Sequence, residues 1–208
     1  MKNLLVAQSG GPTSAINATL AGVIENALSS PSVDKIYGSI NGIQGVLNEN
    51  LVDLKTKIHN VSDLDLLCQT PASALGSCRV KLKDPAVCAD EYETIISVLR
   101  KHNIDCFIYI GGNDSMDTVD KLSKYLNDKG ISDITVVGAP KTIDNDLCGT
   151  DHCPGFGSAA KYIGTTFAEL ERDCHVYSTK AVTIVEVMGR DAGWLTAASC
   201  LARANGAK

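Results

Sequence analysis

Short aliphatic runs that close on glycine and then change to helical spacing constrain this chain more than any other feature. Residues 3–8 read as a buried strand that ends at Ser9-Gly10-Gly11-Pro12. Helical spacing follows from about residue 14 to 28, with Thr13 or Ser14 suited to cap it. Residues 35–40 form a second strand candidate ending at Asn41-Gly42. Residues 105–110 run straight into Gly111-Gly112, and the next helix carries Met116, Val119, Leu122 and Tyr125. Residues 134–138 make another buried strand, broken at Pro140. Helical spacing also marks 85–102 and 155–172, the β-branched run 181–188 is expected to be a strand, and 191–204 a helix. The polar stretch from Asn48 to about Ser77 is poorly periodic and is expected to be an excursion built from short elements. Alternating aliphatic strands and helices predict a Rossmann-like layered α/β/α fold with a mostly parallel sheet covered on both faces. Ligands of such sheets bind beyond the carboxyl ends of the strands.

Composition narrows the function classes. With 208 residues there is room for one substantial domain, or one and part of another. The net charge of -5 argues against a general nucleic-acid surface, so anionic ligands would have to be met locally by backbone N–H groups, a few basic side chains or a cation. No apolar run is as long as a membrane span, and the opening Met1-Lys2-Asn3-Leu4-Leu5-Val6 turns polar too soon for a signal peptide, so neither nucleic acid nor membrane is expected as a partner. The eight cysteines are scattered and none forms a CxxC pair, which fits reduced thiols in a cytoplasmic protein and speaks against zinc.

Four clusters at strand ends could carry chemistry. Ser9-Gly10-Gly11-Pro12 could close backbone N–H groups on an anion, although a plain tight turn explains it equally well. Gly111-Gly112-Asn113-Asp114-Ser115 opens a helix, where Asn113 and Asp114 could act directly or through a cation, or where Asp114 or Ser115 could merely cap it. Pro140-Lys141-Thr142-Ile143-Asp144-Asn145-Asp146 sets two carboxylates beside a lysine. One carboxylate can take a proton from a hydroxyl, and the ammonium can stabilise a transferring phosphoryl group; an Asx-rich surface turn is the plain alternative. Met188-Gly189-Arg190 places an arginine that could fork onto phosphate or sugar oxygens, or pair with Glu186 or Asp191.

In this order, and with Gly76-Ser77-Cys78-Arg79 as a fifth segment, these clusters resemble the phosphofructokinase family from Leu4 to Leu201. The Thr142-to-Asp146 run and Val185-Glu186-Val187-Met188-Gly189-Arg190 are the most specific parts of the match. The resemblance implies that Asp144 is the general base toward the 1-hydroxyl of fructose 6-phosphate, with Lys141 and Asp114 also in the catalytic set. It implies donor contacts from Gly10, Gly11, Arg79, Gly112, Asp114 and Ser115. Substrate contacts are implied for Thr142, Ile143, Asp144, Asp146, Met188, Gly189 and Arg190. Magnesium is the implied cofactor, with Asn113 and Asp144 at the metal.

Asp114 and Lys141 stand where ATP-dependent members typically have glycine, so the resemblance favours pyrophosphate as donor. A carboxylate there intrudes on and repels the nucleotide's α-phosphate. An ATP-dependent kinase and a non-catalytic phosphate-binding module are the alternatives. Two positions depart from the family pattern: Asn113 replaces an acidic residue associated with magnesium, and Ala181 replaces an arginine that reaches a neighbouring subunit's substrate, leaving Lys180 as the nearest cation. The resemblance also implies a homo-oligomer, and family chains running well past the position of Lys208. Residues 1–154 are therefore expected to be a donor-binding domain, and 155–208 the start of a second, sugar-phosphate-binding α/β domain.

Overall fold

The computed structural model describes residues 2–205; Met1 and residues 206–208, the outer ends of the two expected domains, lie outside the described residues. The chain divides into two compact units, Met1–Lys141 and Thr142–Lys208.

The first unit follows the strand–helix alternation. Its elements are β1 (Lys2–Gln8), α1 (Ile16–Ser29), β2 (Val33–Ser39), α2 (Gly42–Leu47), β3 (Leu51–Asp53), α3 (Val61–Gln69), α4 (Ala89–Lys101), β4 (Ile104–Gly111), α5 (Asn113–Asp128) and β5 (Thr135–Pro140). The sheet order is β3-β2-β1-β4-β5. β1 pairs in parallel with both β2 and β4, and β4 with β5, while the short β3 runs antiparallel to β2 at one edge. From β1 the chain winds first to one side of the sheet and later to the other. The switch therefore falls between the carboxyl ends of β1 and β4, where the first two glycine clusters stand.

Alternation along the central strands sorts side chains onto two faces. Leu5, Ala7, Phe107 and Tyr109 join Ile95, Leu99, Leu122 and Tyr125 under α4 and α5. Leu4, Val6 and Ile110 join Ile16, Leu20 and Ile24 under α1. Each large apolar side chain fully buried in these layers contributes about 1.5–3 kcal/mol. Helix α5 shows how the sequence encodes this. Ser115, Thr118, Leu122, Tyr125 and Leu126 line its buried stripe, and the outer face carries Asp117–Lys121 and Asp120–Lys124 pairs at i,i+4, each 2.7 Å. The polar excursion resolves into β3, a 3-10 turn at Leu54–Thr56, and α3, which opens with a reciprocal capping box between Asn60 and Asp63.

The second unit is helical. α6 (Phe156–Cys174) and α7 (Trp194–Ala197) are followed by a 3-10 helix at Ala198–Asn205. Cys153, Phe156, Ala160, Leu195 and Ala198 form its core, with Ile143, Leu147, Ile163 and Val187 packed around them. Residues 142–154, grouped with the first domain on sequence, fold here: Thr142 N–H donates to the Pro154 carbonyl (3.0 Å), and Cys153 N–H to Asn145 Oδ1 (2.8 Å).

Two sequence expectations need correction in this unit. The run 181–188 is not a strand: it finds no ladder partner among the described residues, and Val182 and Ile184 are each 90% exposed. A strand draws its backbone hydrogen bonds from a neighbour, so β-branched composition cannot make one alone. The helix expected over 191–204 begins only at Trp194, because Gly193 takes a left-handed turn (φ 71°), and it tightens to 3-10 winding after Ala197. No described helix is long and apolar enough to cross a membrane.

Candidate active site

The loop after β1 rests on a buried amide. Gln8 donates from Nε2 to the Ile16 carbonyl and to Asn17 Oδ1, both at 3.0 Å. Its Oε1 accepts from Leu75 N–H (2.9 Å) and from the Ser73 hydroxyl (3.0 Å). Asn17 extends the hub, accepting from Ala74 N–H (2.9 Å) and donating to the Thr70 carbonyl (2.9 Å). The segment around Gly76 is thereby held against β1. Ser77 Oγ donates to the Gly10 carbonyl (2.6 Å) and Ser9 Oγ to the Cys78 carbonyl (3.1 Å). Beneath them burial pushes the Tyr109 phenol well up. Burial also pushes the Cys78 thiol up, but hydrogen bonds from Val80, Gln44, Ser9 and Tyr109 outweigh it and leave the thiol below its usual value.

The glycines of the two loops divide by what their missing Cβ would meet. Gly10 is left-handed (φ 78°) and a Cβ would lie 3.0 Å from Lys141 Nζ, while a Cβ at Gly111 would collide with the Ser115 side chain. Those two are required by the fold. At Gly11 a Cβ would meet nothing within 4 Å, and at Gly112 only the Lys141 carbonyl at 3.9 Å. The protein's own packing therefore leaves open space above Gly11 and Gly112, at neighbouring strand ends and beside the N-terminus of α5. Such an opening suits a phosphate approaching backbone N–H groups.

Charged side chains surround the opening. Lys141, 3% exposed, donates from Nζ to the Gly11 carbonyl, while its N–H donates to the Gly111 carbonyl (2.9 Å) and extends the β4–β5 ladder. Asn113 and Asp114 begin α5 on its exposed side, and Asp114 Oδ1 lies 2.8 Å from Lys81 Nζ. Arg79 is exposed, directly after the segment tied to Ser9 and Gly10. Ser115 is buried against Gly111, with its N–H spent on the Gly112 carbonyl. Its side chain therefore shapes the loop from below. Lys81 was not singled out from the sequence, yet a signal was there. In Arg79-Val80-Lys81-Leu82-Lys83 the basic residues alternate with Val80 and Leu82, and the structure exposes the former while burying Leu82 and part of Val80.

The second unit assembles the remaining candidates. Asn145 is left-handed (φ 57°) and its amide turns inward, donating to the Asp151 carbonyl (3.1 Å) while accepting from Cys153 N–H. Asp144 and Asp146 on either side of it both reach Arg190: Nη2 is 3.4 Å from Asp144 Oδ2 and 3.8 Å from Asp146 Oδ2. Arg190 is itself left-handed (φ 46°) after Gly189 (φ 138°), so its guanidinium turns toward the carboxylates while its side chain stays 70% exposed. The Asp144 side chain is only 13% exposed, and its N–H donates to Thr142 Oγ1 (3.0 Å). Ile143 packs into the Phe156 core, so its side chain serves the fold. Met188 and Lys180 lie on the exposed run. Of the two metal candidates, Asn113 belongs to the first unit and Asp144 to the second. Among the described residues no group of three or more His, Cys, Asp or Glu could hold a metal ion.

In the second unit a buried carboxylate faces an exposed guanidinium, and in the first glycine-lined space lies beside a buried ammonium; both are groups that phosphoryl-transfer chemistry can use. Comparison with known proteins identifies the family. The phosphofructokinase family model matches residues 3–208, and the chain belongs to that family. A pyrophosphate–fructose 6-phosphate 1-phosphotransferase of Xanthomonas campestris pv. campestris is 48% identical over 203 residues, covering 96% of this chain and 47% of its own. One of the same name from Halomonas elongata is 46% identical, covering 96% and 48%. The crystal structure of a pyrophosphate-dependent phosphofructokinase from Nitrosospira multiformis superposes with a TM-score of 0.88 at 44% identity, covering 97% of this chain and 49% of that one. The chain thus spans about half the length of the curated relatives it matches.

Proposed function

We propose that this protein transfers a phosphoryl group from pyrophosphate to the 1-hydroxyl of fructose 6-phosphate, reversibly, in glycolysis. The observation that carries the reading is the pair of charges at the open loops: Lys141 buried on the Gly11 carbonyl and Asp114 at the mouth of α5. An ammonium there neutralises a compact two-phosphate donor and its leaving phosphate. A carboxylate there takes up space that the α-phosphate of a nucleotide would need. The names of the relatives above support the same donor.

Each half of the reaction is assigned to its own residues. Gly10, Gly11 and Gly112 offer backbone to the donor, with Arg79 and Lys141 meeting its charge. Asp144 takes the proton of the 1-hydroxyl, Thr142 holds the turn that carries it, and Arg190, Met188 and Gly189 bind the sugar phosphate. The sugar oxygen attacks phosphorus as the bridging P–O bond breaks, and phosphate leaves. Magnesium would supply further charge neutralisation on the phosphates. Asp144 and Asp146 fit it, since this ion takes one or two carboxylates and completes its shell with phosphate oxygens and water. Asn113 would add only a neutral amide oxygen. A homo-oligomer and a cytoplasmic location belong to the same proposal.

The test is formation of fructose 1,6-bisphosphate from fructose 6-phosphate and magnesium with either donor, alongside calorimetric titration of the 208-residue chain with pyrophosphate and with ATP. Turnover and tighter binding with pyrophosphate are expected; a preference for ATP overturns the donor assignment. Asp144→Ser should lower turnover by about 10²–10⁴-fold. Unchanged turnover removes Asp144 from the role of base.

A further inference from the structure

Lys81 lies on a segment that is fixed from several sides. Leu82 is buried in the core, its carbonyl accepts from Lys121 Nζ (3.1 Å), and the Lys83 carbonyl accepts from Tyr92 Oη (2.6 Å). Upstream, Ser77 and Cys78 are tied to the Gly10 and Ser9 loop. Asp114 is fixed as firmly: it sits in the first turn of a 16-residue helix, and its carbonyl accepts from Thr118 Oγ1 (3.0 Å). Two anchored backbones therefore present an ammonium and a carboxylate to one another at 2.8 Å, with side chains 66% and 63% exposed. So exposed a pair adds little to stability. Its consequence is for the local field at the open loops.

We propose that Lys81 is a specificity-determining positioning residue: it holds the Asp114 carboxylate at the loop mouth and cancels its charge there. The inference rests on the donor reading above and deepens it. A bare carboxylate beside Gly112 would repel any phosphate, including the pyrophosphate it is meant to admit. Held by Lys81, it keeps its bulk in the path of a nucleotide while its charge is masked from the compact donor.

A double-mutant cycle tests this by titrating magnesium pyrophosphate into the 208-residue chain, with circular dichroism to verify folding. Lys81→Met should weaken pyrophosphate binding about tenfold when Asp114 is present, and less than about twofold in Asp114→Asn, where there is no charge to mask. Lys81→Arg should rescue, and Lys83→Met, in the same exposed row, should lose less than about twofold. Equal losses from Lys81→Met in both backgrounds would mean that Lys81 binds the donor itself, and would overturn the proposal. So would no loss in either background, or an equal loss at Lys83. If the parent chain prefers ATP, the donor reading fails separately, and the same four chains titrated with inorganic phosphate still read the coupling between residues 81 and 114. Binding of no phosphate compound at all would overturn both.

Discussion

Two β-branched or aliphatic runs of this chain have opposite fates. Ile104–Gly111 is β4, an interior strand laddered on both sides by β1 and β5, with Phe107 and Ile110 fully buried. The run 181–188 is richer in valine and isoleucine for its length, yet it has no ladder among the described residues and shows Val182 and Ile184 to solvent. Strand propensity is a fit to a pleated, half-buried surface, and only the first run has such a surface to fit. Composition marks both segments as candidates; neighbours decide which becomes a strand.

Substitutions can break that contrast or sharpen it. The largest effect is expected at Phe107→Ala, which opens a cavity under α4 and α5 and should cost about 3–5 kcal/mol in chemical denaturation followed by circular dichroism. A loss below about 1 kcal/mol would mean that this layer is not the packed core described.

Next comes an alkaline test of the same layer. Burial, with the negative charges of Asp84, Glu91 and Asp117, pushes the Tyr92 phenol up to about 12. The folded state therefore favours the protonated phenol, and that stabilisation is whole below the unfolded value near 10. It is lost as pH rises through about 12, at about 1.4 kcal/mol per pH unit in between. Tyr109 is raised by burial as well and adds to the slope. Tyr92→Phe should lower stability at neutral pH by about 1 kcal/mol, through the lost hydrogen bond to the Lys83 carbonyl, and should flatten the alkaline fall. An unchanged slope in stability measured from pH 9 to about 12 would contradict a buried phenol.

The smallest effect is expected in the unpaired run. Ile184→Ser should change stability by no more than about 0.5 kcal/mol. A loss of 2 kcal/mol or more would reveal that this segment is covered after all.

Much of the first unit was legible because its strands are aliphatic and glycine punctuates their ends. β1, β4 and β5 fall within a few residues of the sequence reading, as do α4 and α5. Helix α2 was not read, because it follows a left-handed Asn41 (φ 64°), a backbone state that composition does not announce. The 181–188 run misled for the opposite reason, since local preference spoke without tertiary support. At the site, glycines and charges stood out but their division of labour did not. Sequence could not tell that Gly10 and Gly111 are needed by packing while Gly11 and Gly112 face open space. Nor could it find Gln8 and Asn17, whose importance lies in partners more than fifty residues away. Lys81 was within reach, through the period-two alternation of Arg79, Lys81 and Lys83.

Trp194 packs edge-on against Phe156 in the core region of the second unit, at 6.4 Å between ring centroids, and it is the sole tryptophan of the chain. Indole emission from the native protein is therefore a private signal of that unit. Excited at the red edge of indole absorption, the tyrosine-bearing sheet stays dark while its helical companion reports. No dye or engineered label is needed to watch the Phe156 neighbourhood as sugar phosphates or denaturants are added.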